Sequence, residues 1–114
     1  MIFLAILVVA GSSAGADMGN AADRLRQCVI TKADAFEPAK EAADTTVQAA
    51  LDACLPERAD FRVALQESLK ADGKLTATQA SRVEQSSYDL VISGARGATL
   101  VRLMEKRAAN AQNH

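Results

Sequence analysis

Histidine is almost missing from this chain. The single copy, His114, sits in a polar tail expected to fray. Serine or cysteine nucleophiles need a positioned base, and a frayed imidazole is a poor one. The C-x-x-C-H pattern of haem attachment is absent, as is any Cys/His set of the zinc type. Six glycines are too few and too scattered for a phosphate-cradling loop. Tryptophan is absent, and no segment shows the sustained alternation of a strand. These gaps leave carboxylates as the remaining catalytic chemistry, so a carboxylate-based enzyme is the outlying alternative. No residue is assigned as catalytic, cofactor-binding or metal-ligating.

Charge is missing from one region altogether. The first sixteen residues, MIFLAILVVAGSSAGA, carry no Lys, Arg, Asp or Glu. An apolar run from Ile2 to Ala10 leads into Ala14-Gly15-Ala16. That is the layout of a signal-peptide core with an A-x-A cleavage site. The run falls short of the roughly 20 apolar residues a membrane span needs. It departs from the usual pattern in having no basic residue ahead of it. The expectation is residues 1-16 as signal peptide, with a retained anchor as the alternative, and 17-114 as a single helical domain. That mature chain is periplasmic or secreted and has no membrane span after cleavage.

The formal charge of the whole is −1, which nominates no polyanionic partner. The charge is uneven, however. Residues 33–60 hold Asp34, Glu37, Glu41, Asp44, Asp52, Glu57 and Asp60 against two bases. Residues 82–114 hold Arg82, Arg96, Arg102, Lys106 and Arg107 against three acids. Solvated helix faces are the favoured reading. Attraction between the two segments, within one bundle or between copies, is the other. Glu37, Glu41 and Asp44 lie within two turns and read as a solvated face rather than a cation site.

Cys28 and Cys54 are the only cysteines, and export places them in an oxidising compartment. An intramolecular disulfide is expected. The spacing does not suit a C-x-x-C redox pair, and an intermolecular bridge is the alternative. The bond constrains the geometry. If helix 1 ran to Phe36 and helix 2 began at Pro38, Cys28 would lie about 12 Å from the turn and Cys54 about 24 Å. The sulfurs could not meet. Either the turn is centred near residue 41, or helix 1 stops near Thr31 or Lys32 and residues 33–37 run extended. The aversion of a pre-proline residue to helix favours the second.

What is present is helical periodicity. Helix 1 is expected from Asn20 as N-cap, with Leu25, Cys28 and Val29 on its apolar side. Helix 2, Pro38 to Leu55, shows Ala43, Val47, Ala50, Leu51 and Cys54 on one face. Pro56 opens a third helix or kinks a continuous one. Phe61, Leu65 and Leu69 follow four apart, and Gly73 suits a helix end. Thr76 and Gln79 form a capping box for the last helix. Its apolar stripe steps by 3 and 4 through Val83, Leu90, Gly94, Gly97, Val101 and Met104 to Ala108. The expectation is an unbroken or bent helix, with a break at SGARG into two shorter helices as the rival, and its Gly94 and Gly97 form a packing seam against another helix, from the same chain or a second copy. Tyr88, near Val91 and Ile92, reads as core edge rather than a ligand platform. GARG at 94–97 has the GxxG spacing of a KH nucleic-acid clamp, but that module needs a sheet, so no nucleic-acid partner is expected. The fold class is all-α, a small three- or four-helix bundle with a long C-terminal helix and one disulfide.

Two resemblances accompany this reading. Cys28, Glu37-Pro38-Ala39, Ala49-Ala50, Ala53-Cys54 and Glu57-Arg58 make a pattern that resembles small, exported, uncharacterised helical proteins of proteobacteria. It covers under a third of the mature chain and implies export and a disulfide-tied helical fold, with no activity. Leu75, Thr76 and Gln79 are similar to the Leu-Thr-x-x-Gln motif of the LTxxQ periplasmic chaperones. Those proteins look like cradles of long helices for unfolded clients and typically carry the motif twice, whereas here it occurs once. The cysteine pair is also foreign to that pattern. The functional expectation is a non-catalytic exported protein, a structural or protein-interaction module of the cell envelope. An LTxxQ-like client-binding chaperone is the alternative. The partner is another protein or a second copy, and no cofactor is expected.

Overall fold

The computed structural model describes residues 13–112. The apolar run and most of the expected signal segment lie outside the described residues. Among those described are four α-helices: α1 (Ser13–Phe36), α2 (Ala43–Ala53), α3 (Leu55–Asp72) and α4 (Ala77–Gln112). A 3-10 turn, Glu37–Ala39, follows α1. One disulfide, Cys28–Cys54, joins α1 to the end of α2.

α1 is the hub, packed against the other three helices. Ala21, Leu25, Val29 and Ala33 recur every fourth residue and are buried. They meet Val47, Ala50 and Leu51 of α2, Phe61 and Leu65 of α3, and Ala95 and Leu103 of α4 in one core. Leu69 packs at its edge, as does Tyr88. The small residues on α1 and α2 let backbones lie close, so few large side chains suffice to fill the interior.

Helix 1 does not stop at Lys32, and residues 33–37 are not extended. α1 continues to Phe36, and burial of Ala33 holds its last turn against the core. It also starts earlier than Asn20, at Ser13. Helix 2 correspondingly begins at Ala43 rather than Pro38, which lies in the 3-10 turn. The chain reverses through Lys40, a left-handed residue at φ 56° whose amide donates to the Glu37 carbonyl at 2.9 Å. The disulfide is thus met by a turn centred near residue 41. Eight α-helical residues plus the 3-10 segment place Cys28 about 18 Å from the turn. Eleven residues of α2 place Cys54 about 16 Å from it. The two Cα atoms come to 6.1 Å.

At the α2–α3 junction a single residue, Cys54, leaves helical geometry (φ −104°, ψ 32°). Pro56 sits in the first turn of α3, where a missing N–H costs nothing. α3 closes on Gly73 at φ 69°, the left-handed end that glycine permits. The capping box then starts α4: Gln79 N donates to Thr76 Oγ1 at 3.1 Å, and Thr76 N donates to Gln79 Oε1 at 3.0 Å. α4 runs unbroken past both glycines. A compact chain of about 100 residues has a radius of gyration of about 13 Å. This one reaches 17.8 Å, because the long α4 outruns the bundle.

Candidate interaction surface

α4 presents two apolar faces. The inner one faces the core through Tyr88, Val91, Ile92, Ala95, Thr99 and Leu103. Thr99 sends its hydroxyl to the Ala95 carbonyl at 2.7 Å, so its polar group is satisfied in a buried site. Tyr88 stacks at 6.3 Å on Phe61, accepts from Arg58 Nε at 2.8 Å and lies 4.0 Å beneath the Arg62 guanidinium. It is core edge.

Charged residues flank this inner face and reach across to α1 and the turn. Arg102 forks onto Asp34 at 3.0 and 3.3 Å, and Lys106 joins it at 3.2 Å. Arg107 holds Glu37 at 2.7 Å and donates to the Glu41 carbonyl at 2.8 Å. The acidic and basic segments therefore pair within the bundle. The hydrogen bond from Arg102 leads in holding the Asp34 carboxyl below its ordinary value, with Lys106 adding to it against a smaller cost of burial.

The outer face is the stripe stepping by 3 and 4 from Val83 to Ala108. It lies nearly opposite the core. Leu90 is 74% exposed, Met104 62%, Val101 55% and Val83 39%. Gly94 and Gly97 sit at its midpoint, both exposed. A β-carbon at either would meet no neighbouring atom within 4 Å. Among the described residues, then, the glycine seam has no helix against it, and the buried stripe is the one centred on Ala95, Thr99 and Leu103. The sequence reading has the Tyr88, Val91 and Ile92 end of that stripe as core edge but misses Ala95, Thr99 and Leu103. Its steps of 4, 3, 4 and 4 from Tyr88 to Leu103 were an available signal, and its bulk exceeds that of a stripe with glycines at its centre.

Over residues 79–111, an arc of roughly 140° about the outer stripe carries one charged residue, Glu105. Toward its N-terminal end the stripe borders a groove of about 390 Å³ between α1, α3 and α4, walled in part by Met18, Ala22, Phe61, Leu65, Val83 and Ser87. A larger concavity, about 570 Å³ between α3 and the start of α4, holds the carboxylate of Glu84, which accepts from Gln66 at 3.2 Å and lies 3.7 Å from Arg62. Of the residues singled out from sequence, Cys28 and Cys54 are brought together, while Gly94 and Gly97 are placed on the free face. No helix among the described residues is long and apolar enough to cross a membrane. No protein-family model, curated protein or solved structure matches the chain.

Proposed function

We infer that this protein is a non-catalytic module of the cell envelope that holds another protein chain along the outer face of α4. The observation that carries the reading is the exposed stripe of Val83, Leu90, Val101 and Met104. Exposed apolar surface in one continuous patch marks interaction sites on soluble chains. The disulfide favours an oxidising compartment, and the apolar run ahead of Ala14-Gly15-Ala16 supports periplasmic or secreted placement. The test is a photo-crosslinking residue at Leu90 in the exporting cell, with one at exposed Glu67 on α3 as control. Protein adducts are expected at Leu90 and not at Glu67. Equal labelling, or none, removes the reading.

The same stripe supports a second reading, a client-holding chaperone of the LTxxQ kind. Thr76 and Gln79 are engaged with each other's backbone in the helix cap, so client contact would fall to the stripe. Suppression of aggregation of a denatured client near equimolar ratio checks it. A protein that leaves aggregation unchanged is not such a chaperone.

A further inference from the structure

We propose that the occupant of the outer face of α4 is a second copy of this chain, paired antiparallel about a two-fold axis at Gly94 and Gly97. The proposal rests on the interaction reading and names its partner. The stripe repeats every 3.5 residues on average, the period at which two helices keep one seam in register over many turns. A two-fold contact uses the same patch on both subunits, so the patch must complement itself. This one does so in one direction. Reflected about the midpoint between the glycines, Leu90 falls opposite Val101, Ser87 opposite Met104, and Val83 opposite Ala108. The larger side chain meets the smaller in each pair. The glycines fall opposite each other, and backbone approach is least obstructed there.

A parallel pair would set each residue against itself. Leu90, Val101 and Met104, each against its own copy, would hold the two axes apart, and Ser87, Gly94, Gly97 and Ala108 would leave gaps between them. It would also bring the two Glu105 carboxylates level. In the antiparallel pair Glu105 lies beside Ser86 of the second copy, a hydroxyl that can donate to it. Met104, exposed and flexible, reaches Ser87 of the other copy at the mouth of the apolar groove. The net charge of −1 sets up little repulsion between copies. The remaining helices lie on the opposite side of α4, so the bundles stand outside the seam.

The size of the contact sets its strength. From Ala80 to Ala111 the seam runs about 46 Å, and a strip about 10 Å wide gives about 460 Å² per copy. That is below the ~800 Å² per partner of a standard stable interface. The pair is therefore weak and reversible, monomeric when dilute and dimeric when concentrated.

The experiment combines sedimentation equilibrium of the purified disulfide-bonded protein, from low micromolar to near millimolar, with photo-crosslinking. A benzoylphenylalanine at Leu90 is irradiated in the concentrated sample, and the adduct is located by mass spectrometry. The expected results are a rise in average mass with concentration and an inter-copy crosslink at or beside Val101. Gly94→Leu is expected to weaken association at least tenfold while keeping the parent's helical circular dichroism and a dilute unfolding midpoint no lower than the parent's. An average mass that stays monomeric overturns the proposal, as does a crosslink at Leu90 itself or Gly94→Leu dimerising as the parent does. If the pure protein stays monomeric while Leu90 still captures other envelope proteins in the cell, self-pairing fails and the interaction reading stands. If Leu90 captures nothing in either setting, both fail.

Discussion

The inner and outer faces of α4 are both apolar and both periodic, yet one is core and the other is free. The inner face carries Ala95, Thr99 and Leu103, almost completely buried. It is flanked by Arg102, Lys106 and Arg107, which clamp it to α1 and the turn after it. The outer face carries comparable side chains and, among the described residues, no such clamps. Its centre is two glycines in open space. Hydrophobic periodicity thus identifies faces that can be buried. Which face meets the rest of the chain is decided where bulk, backbone access and flanking charge agree.

The comparison can be broken at several points. The largest effect expected is loss of the disulfide that ties α1 to α2 behind the inner face. Closing a loop with a sequence separation of 26 contributes about 3.5 kcal/mol in the chain-entropy model. The double variant Cys28→Ala, Cys54→Ala should lose that amount in urea unfolding. A loss near zero would mean that packing against α1 alone secures the inner face. Next comes the direct contrast of two leucines on one helix. Leu103→Ala, fully buried, should cost about 3 kcal/mol. Leu90→Ala, 74% exposed, should stay within about 0.5 kcal/mol in dilute protein. Equal costs would show that both faces are packed in the monomer.

A smaller effect of opposite sign is expected at the glycines. With no neighbour to strike, Gly94→Ala and Gly97→Ala should each stabilise dilute protein by about 1 kcal/mol. Destabilisation at low concentration would place another segment against the seam.

The smallest effect concerns the flank of the inner face. The folded Asp34 carboxyl is held below its ordinary 3.8, chiefly by the Arg102 hydrogen bond. A depressed carboxyl contributes stability in full above its unfolded value, and the contribution fades as pH falls through the folded one. Asp34→Asn should therefore remove a small part of the acid-side loss of stability below about pH 4. Chemical unfolding of parent and variant between neutral and acid pH reads it. Two parallel curves would mean the ion pair adds nothing.

Local chemistry made much of this fold legible. The Thr76–Gln79 box forms as expected because both partners lie within one turn. Gly73 takes its left-handed conformation for the same kind of reason. Phe61, Leu65 and Leu69 face the core on α3 because no other face of that helix carries comparable apolar bulk. The disulfide was legible from there being two cysteines and no more. The end of helix 1 was not. A pre-proline preference acts on one residue, whereas burial of Ala33 and the ion pairs of Asp34 and Glu37 act on the whole last turn, and the latter prevail.

By itself the sequence determined that the chain is helical, where α3 and α4 meet their caps, that Cys28 pairs with Cys54, and that α4 carries an apolar stripe with glycines at its midpoint. These follow from interactions between residues a few positions apart or, for the cysteines, from there being one pairing available within the chain. Only the tertiary structure decided that the stripe looks outward and that Tyr88, Ala95, Thr99 and Leu103 look inward. A helix can turn about its own axis without changing one of its backbone hydrogen bonds. Its rotation is set by what lies against it, here the core it shares with α1 and α3, Phe61 stacked on Tyr88, and the carboxylates of Asp34 and Glu37.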